Sequence, residues 1–212
     1  MNQEFTNAKD MRAYRNTRAF IAPICRWLYG MRVEGSENEP DSGPIIVCAN
    51  HTSNHDAIIL GVAICKMQLR YFAKASLFKV PILKSIVHGL GAFPVDKTTA
   101  SSSLAAIKNS LALLKQGESL SMFPQGHRIP SKDPRDTQPM NGIGMIVYRS
   151  KCRVLPVCIQ TKHWRTGFFR RTYVRIGKPI EYEDFSFEKG GSAEFTAASE
   201  LVFSKINELI KD

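Results

Sequence analysis

The chain has 212 residues, 43% of them hydrophobic and 23% charged, with a formal net charge of +10. Those values fit one globular domain with a substantial core, and no internal repeat or low-complexity tract is present. The longest uninterrupted apolar run, Ala57–Cys65, falls short of the roughly 18 residues that a membrane span needs.

Residues 8–30 show helical periodicity: Ala13, Phe20, Ile21, Ile24, Trp27 and Leu28 are apolar, and Arg12, Arg15, Arg18 and Arg26 punctuate them. Pro23 should kink this helix or mark a boundary in it. A basic helix carrying Trp and Phe can lie flat in a membrane interface, or pack on the domain as an ordinary amphipathic helix. Residues 1–30 therefore form one expected unit and residues 31–212 the main domain. Ser36–Gly43 is a turn-rich loop. Strand-like and helix-like segments then alternate: Ile45–Cys48 strand, Asp56–Lys66 helix, Arg70–Ala73 strand, Pro81–Val87 helix, Ala92–Val95 strand. Ser102–Lys115 follows as an amphipathic helix with Leu104, Ile107, Leu111 and Leu114 on one face, capped by Ser101 or Ser102 and ended by Gly117. Ser119–Phe123 reads as a strand, Ile143–Arg149 as a helix, Val154–Ile159 and Thr172–Ile176 as strands, and Ala193–Ile210 as a closing helix. The alternation predicts a three-layer α/β domain with a largely parallel, mixed sheet and an N-terminal amphipathic helix. Sites in such sheets form at the carboxyl ends of strands.

The first candidate site follows the first predicted strand: Asn50-His51-Thr52-Ser53-Asn54-His55-Asp56. A carboxylate five residues from a histidine can accept from one ring nitrogen and leave the other as a general base. A helix starting near Asn54 would hold Asp56 in its first turn, where the helix dipole favours a carboxylate. The bland alternative is a loop histidine and a helix-starting aspartate that never touch. His51 and His55 also have a metal-ligand spacing, with His127 as a conceivable third ligand. The glutamate that follows the first histidine in a zinc-protease helix is Thr52 here. The turn Phe123-Pro124-Gln125-Gly126-His127-Arg128 also follows a strand; its Arg128 has the fork that grips a phosphate. Lys74 and Lys97 each sit at the end of a predicted strand, as phosphate ligands or plain surface charges.

The cysteines, Cys25, Cys48, Cys65, Cys152 and Cys158, are odd in number and mostly in apolar stretches, which predicts reduced, buried thiols. Charge is uneven: Lys132–Lys178 holds eleven Lys or Arg against two Asp, and Pro179–Asp212 three Lys against eight Asp or Glu. A basic patch implies an anionic partner, whether phospholipid, nucleic acid or phosphorylated substrate. The stretch His163–Arg171 alternates aromatics with arginines; Phe168 and Phe169 either enter a membrane interface or pack in the core. The start, Met1-Asn2-Gln3-Glu4-Phe5, has no signal-peptide character.

These blocks, taken in order, resemble the glycerolipid acyltransferases, specifically the 1-acyl-glycerol-3-phosphate (lysophosphatidate) acyltransferase group. Asn50-His51 through Asp56 resembles their Asn-His-x-x-x-x-Asp motif. Gly91-Ala92-Phe93-Pro94-Val95-Asp96-Lys97 resembles the second motif, Phe123–Arg128 the third (Phe-Pro-Glu-Gly-Thr-Arg), and Val154-Leu155-Pro156-Val157 the fourth. Ala73-Lys74-x-x-Leu77 fits a further family pattern. The resemblance covers roughly residues 30–180. It implies that His51 is a general base oriented by Asp56, and that an acyl group moves from coenzyme A or acyl carrier protein to a lysophosphatidate-like hydroxyl. Lys74, Lys97 and Arg128 would hold the acceptor's phosphate, and Gln125 and Gly126 would form the turn against the acceptor. No metal or other cofactor is implied, and nucleic acid is disfavoured as a partner. The expected location is the cytoplasmic side of a membrane, peripheral or monotopic. Three positions depart from the family: Gln125 for Glu, His127 for Thr and Lys97 for Arg. The glutamine can still hydrogen-bond a hydroxyl but carries no charge, and the lysine lacks the bidentate fork. The departures keep open a non-catalytic lipid- or nucleic-acid-binding module using the basic 132–178 region, or a different hydroxyl acceptor.

Overall fold

The computed structural model describes residues 11–74, 92–95 and 100–212. The chain begins with helix α1 (Met11–Leu28) and strand β1 (Met31–Glu34), then β2 (Ile46–Ala49), α2 (Asp56–Ala63), β3 (Leu69–Lys74) and β4 (Ala92–Val95). It continues with α3 (Ala100–Lys115), β5 (Ser119–Met122), α4 (Gly142–Ser150), β6 (Val154–Thr161), β7 (Thr172–Ile176) and α5 (Ser192–Asn207). The described strands form one sheet in the order β1-β7-β6-β2-β5-β3-β4. Every pairing is parallel except β6 with β7. The expected three-layer, largely parallel architecture is therefore present. The short strand β1 was not anticipated; it lies between the expected helix over residues 8–30 and the expected loop Ser36–Gly43.

Strand β2 shows how the layers arise. Its residues alternate between faces, as a strand's two-residue period requires. Val47 and Ala49 join a core with Ala22, Cys25 and Tyr29 of the α1 segment, Ile59, Leu60 and Val62 of α2, and Leu155 and Val157 of β6. Ile46 and Cys48 point the other way, into a core with Leu113 and Leu114 of α3, Ile143, Ile146 and Val147 of α4, and Val202, Phe203 and Ile206 of α5. A central strand buried on both faces explains why residues 45–49 are uniformly apolar.

Several local expectations are corrected. α1 runs through Pro23 to Leu28 as one element. Its buried face is Tyr14, Ala22, Cys25 and the following Tyr29, whereas Phe20, Ile24 and Trp27 stand 78%, 49% and 71% exposed. α2 ends at Ala63, three residues before the expected Lys66. The Glu39 carboxylate accepts the Cys65 and Lys66 N–H groups at 2.7 and 2.9 Å, and so competes with continuation of the helix. In α3, Leu114 is buried and Ile107 and Leu111 pack against the same core, as expected; Leu104 is instead 69% exposed, and Ser110 and Leu113 are buried. Cys25, Cys48, Cys152 and Cys158 are buried free thiols, and burial pushes the Cys158 thiol up to about 12; Cys65 is exposed. The expected helix Pro81–Val87 lies outside the described residues. No described helix is long and apolar enough to cross a membrane.

Candidate active site

β2, β5 and β6 are neighbours and parallel, so their carboxyl ends lie on one edge of the sheet. His51 leaves β2, Phe123 leaves β5, and Lys162 leaves β6 on that edge. Three loops from distant parts of the sequence are thereby brought together at one place, as a parallel sheet dictates.

Asn50 fixes the exit of β2. It is fully buried; its Nδ2 donates to Ile159 O at 2.9 Å and its Oδ1 accepts from Ile159 N at 2.7 Å. The side-chain amide thus makes the ladder bonds to β6 that the backbone would have made had β2 continued. The main chain is freed to turn away, and His51 begins that turn.

Asp56, the first residue of α2, is fully buried. Its Oδ2 accepts three N–H groups: Thr52 N at 2.6 Å, Ser53 N at 2.8 Å and His51 Nδ1 at 2.9 Å. With two backbone amides donating to it, that oxygen is an acceptor, so the imidazole donates from Nδ1 and keeps the lone pair on Nε2. Asp56 Oδ1 is buried without a hydrogen-bond partner. The His51 ring stacks on Phe123, with centroids 3.8 Å apart and planes 11° from parallel, and its side chain is 12% exposed. The carboxylate sets the ring's tautomer and the phenyl face sets its plane.

The third-motif turn is tied to the first by Gln125. Its Oε1 accepts from His51 N at 2.7 Å, and its Nε2 donates to Thr137 Oγ1 at 2.9 Å. Thr137 Oγ1 in turn donates to Pro134 O at 2.8 Å. Gln125 is buried, and each end of its amide makes a hydrogen bond inside the protein. Gly126 takes φ +72°, and a side chain there would meet Met140 Sδ. Only glycine makes that turn without strain. Ile129 N donates to His51 O at 2.9 Å, so the same segment braces His51 a second time. Arg128, one residue earlier, is exposed, and its side chain makes no hydrogen bond or ion pair among the described residues. Lys74 closes β3 with its side chain outside the description, and Lys97 lies outside the described residues.

His55 bonds elsewhere than His51. Its Nδ1 is 2.7 Å from Tyr29 OH, and burial pushes the Tyr29 phenol up to about 12, which keeps the hydroxyl proton in place. Phe168 packs on both rings, 5.4 Å from Tyr29 and 5.0 Å from His55. Phe169 meets Trp27 edge-on at 5.7 Å. Phe168 and Phe169 are 54% and 74% exposed, so they lie outside the core, while Trp164 packs against it. No three His, Cys, Asp or Glu side chains among the described residues are grouped to hold a metal ion.

Sequence reasoning found His51, Asp56 and the Phe123–Arg128 turn. It missed Asn50 as the strand-ending link, Phe123 as the ring platform, and the Thr52–Thr166 hydroxyl contact at 2.8 Å. Asn50 alone carried a usable signal: a buried polar residue at the end of an apolar strand must be satisfied by a neighbouring backbone.

A family model described as Acyltransferase matches residues 30–160. A 1-acyl-sn-glycerol-3-phosphate acyltransferase of Bacillus subtilis (strain 168) is 32% identical over 183 residues, 85% of this chain and 88% of that protein. A protein of the same name from Streptococcus pneumoniae is 32% identical over 142 residues, 66% of this chain and 51% of its own length. The crystal structure of the 1-acyl-sn-glycerophosphate (LPA) acyltransferase PlsC from Thermotoga maritima aligns with a TM-score of 0.68 at 24% identity, covering 94% of this chain and 81% of that one. At that identity the structural likeness speaks for the fold.

Proposed function

The chain belongs to the acyltransferase family, and from that premise we propose that it transfers a fatty acyl group to the free hydroxyl of a lysophosphatidate-like acceptor in phospholipid synthesis. The donor is an acyl thioester of coenzyme A or of acyl carrier protein. The observation that carries this reading is the 2.9 Å bond from His51 Nδ1 to an Asp56 oxygen already fixed by two backbone amides.

His51 Nε2 takes the proton of the acceptor hydroxyl as its oxygen attacks the thioester carbonyl carbon. Asp56 stabilises the imidazolium that forms, the role a carboxylate has in a catalytic triad. A new C–O bond gives a tetrahedral oxyanion. The C–S bond then breaks, and the departing sulfur takes the proton from the imidazolium, leaving an ester and a free thiol. The oxyanion needs fixed donors. The amide N–H groups of His127 and Arg128 lie on the turn beside His51 and have no protein acceptor among the described residues, so they are the donors we assign. Arg128, with Lys74 and Lys97, binds the acceptor's phosphate. Gln125 and Gly126 hold the turn.

The acceptor reaches the base from a bilayer. Trp27, Phe168 and Phe169 form an exposed aromatic patch, and Phe168 abuts the Tyr29–His55 pair beside the motif. Arg26 and Arg171 are exposed next to it in sequence, as anionic phospholipid requires. Residues 1–30 are then the membrane-contacting element and 31–212 the catalytic domain, acting peripherally from the cytoplasmic side. The test is thiol release from acyl-coenzyme A with lysophosphatidate, with the lipid product identified by mass spectrometry. Wild type produces phosphatidate, and His51→Ala, still folded by circular dichroism, does not. Retained turnover in that variant removes His51 as the base.

A further inference from the structure

An open groove runs along the same sheet edge, lined by Ser131, His163, Trp164, Arg165 and Arg170. Its backbone is unusual. Non-glycine residues seldom adopt positive φ, which is strained and persists where surrounding contacts enforce it, often at functional sites. Of the six such residues in the described chain, Ser131 (61°), His163 (59°) and Trp164 (52°) line this one groove.

The enforcing contacts are present. Ser131 N donates to Trp164 O at 3.0 Å, and Arg165 Nε donates to Ser131 Oγ at 2.6 Å. Asp133 follows Ser131 by two residues and interacts with the Trp164 side chain. Its carboxyl is held below the usual carboxylate range chiefly by hydrogen bonds from Arg135, and the Trp164 side chain also donates to it. That carboxylate is committed to Arg135, so it leaves the groove arginines unneutralised. Arg165 keeps its terminal Nη donors uncommitted, and the Arg170 side chain makes no hydrogen bond or ion pair among the described residues. Exposed Lys132, Lys162 and Arg171 flank them. A fixed, positively charged groove with free guanidinium forks suits phosphate oxygens.

The groove is also joined to the base. Ile129, which bonds His51 O, lies two residues before Ser131. Thr166, which bonds the Thr52 hydroxyl, follows Arg165. The aromatic patch lies at the other end of the same loop, where Phe168 and Phe169 meet the α1 segment. A bilayer-borne acceptor and a water-borne anion thus have different approaches to one histidine.

We propose that this groove binds the phosphate ester of the acyl donor, the chemistry common to coenzyme A and to the phosphopantetheine arm of a carrier protein. The inference rests on the acyl-transfer reading. The test uses Arg165→Gln, Arg170→Gln and the double variant with three donors: acyl-coenzyme A, acyl carrier protein, and acyl-pantetheine, which has the thioester and no phosphate. Each arginine is expected to contribute about tenfold in KM for acyl-coenzyme A, the value of roughly 1.4 kcal/mol per charge-assisted contact. The double variant should show about a hundredfold rise, while KM for acyl-pantetheine and for lysophosphatidate moves less than about threefold. A similar rise with acyl carrier protein assigns the phosphate next to pantetheine; a rise with acyl-coenzyme A alone assigns the nucleotide phosphates. Equal losses on all three donors, no loss on any, or a loss confined to lysophosphatidate or to anionic vesicle binding overturns the proposal. Binding is read separately from turnover by coenzyme A quenching of Trp164 fluorescence in a Trp27→Phe background. Quenching that disappears with both arginines sustains the groove even if no acyl transfer is found, and absence of quenching overturns it.

Discussion

Replacing Asp56 by asparagine separates the two jobs of that residue, orientation and charge. The carboxylate oxygen that meets His51 also accepts from Thr52 N and Ser53 N. An asparagine must place its amide oxygen there, because its NH2 group would face three donors. The Nδ1–H tautomer of His51 is then retained and only the negative charge is lost. The amide NH2 takes the place of Asp56 Oδ1, which is already buried without a partner, so one unsatisfied polar atom replaces another and folding stability should change little. The charge is a different matter. Unit charges about 4 Å apart at an effective dielectric near 20 interact by roughly 4 kcal/mol. His51 has a small exposed edge, so ~3–4 kcal/mol is a reasonable figure for the imidazolium stabilisation lost at the transition state. At about 1.36 kcal/mol per decade that is a fall in kcat of roughly 10²–10³. The assay is thiol release at saturating donor and acceptor, with KM and Tm measured alongside. The expected variant keeps KM within about threefold, keeps its Tm, and loses two to three decades in kcat. A variant within about fivefold of wild type would refute the argument, since the carboxylate would then contribute only geometry.

Gln125→Glu should destabilise the fold. Thr137 Oγ1 accepts from the Gln125 amide; it can turn its proton to a carboxylate, and Pro134 O keeps its bond from Thr137 N, so the variant buries a charge on neutral donors alone. That costs ~1–3 kcal/mol, or roughly 2–12 °C in Tm for a chain of this size; an unchanged Tm sinks the account. Tyr29→Phe tests the alkaline limb of stability. The folded-state Tyr29 value is raised to about 12 by burial, so its contribution is complete below the unfolded value of ~10 and is lost as pH climbs through about 12. Urea midpoints between those pH values should fall less steeply in the variant, and identical slopes would show that this phenol is not responsible. The triple variant Trp27/Phe168/Phe169→Ala should lose ~1000-fold or more in affinity for anionic vesicles, at ~1.5 kcal/mol or more per inserted aromatic. Unchanged co-sedimentation excludes the patch as a membrane contact.

The layered fold was legible because the parallel sheet leaves a strong trace in sequence. Val154–Ile159 and Ile46–Ala49 are short apolar runs, and each precedes a turn with polar chemistry. Two features were not legible. α1 buries Ala22 and Cys25 while leaving Phe20 and Trp27 bare, the reverse of what residue hydrophobicity suggests. Which stripe of a helix is buried depends on what packs against it, here α2 and the sheet, and the helix's own sequence does not encode its neighbours. The early end of α2 depends on Glu39, far from it in sequence.

The same distinction divides the candidate site. His51 and Asp56 are five residues apart, and the local turn alone can bring them together, so spacing and residue type made the pair a candidate and the ordered motifs around it made the choice. Gln125 is 74 residues from His51, and its burial against the His51 amide comes from β2 and β5 being neighbours. In sequence it reads as an uncharged departure from a motif that usually carries glutamate, and so as a possible weakness at the acceptor. In the fold it is a neutral link between the two motif turns, satisfied at both ends without bringing a charge into the buried turn. The change at this position therefore bears on how rigidly His51 is held, and in the proposed acyl-transfer reading acceptor choice falls to Arg128 and the two strand-end lysines. Acceptor specificity should follow substitutions at Arg128, while substitutions at Gln125 should move kcat and Tm together for every acceptor tried.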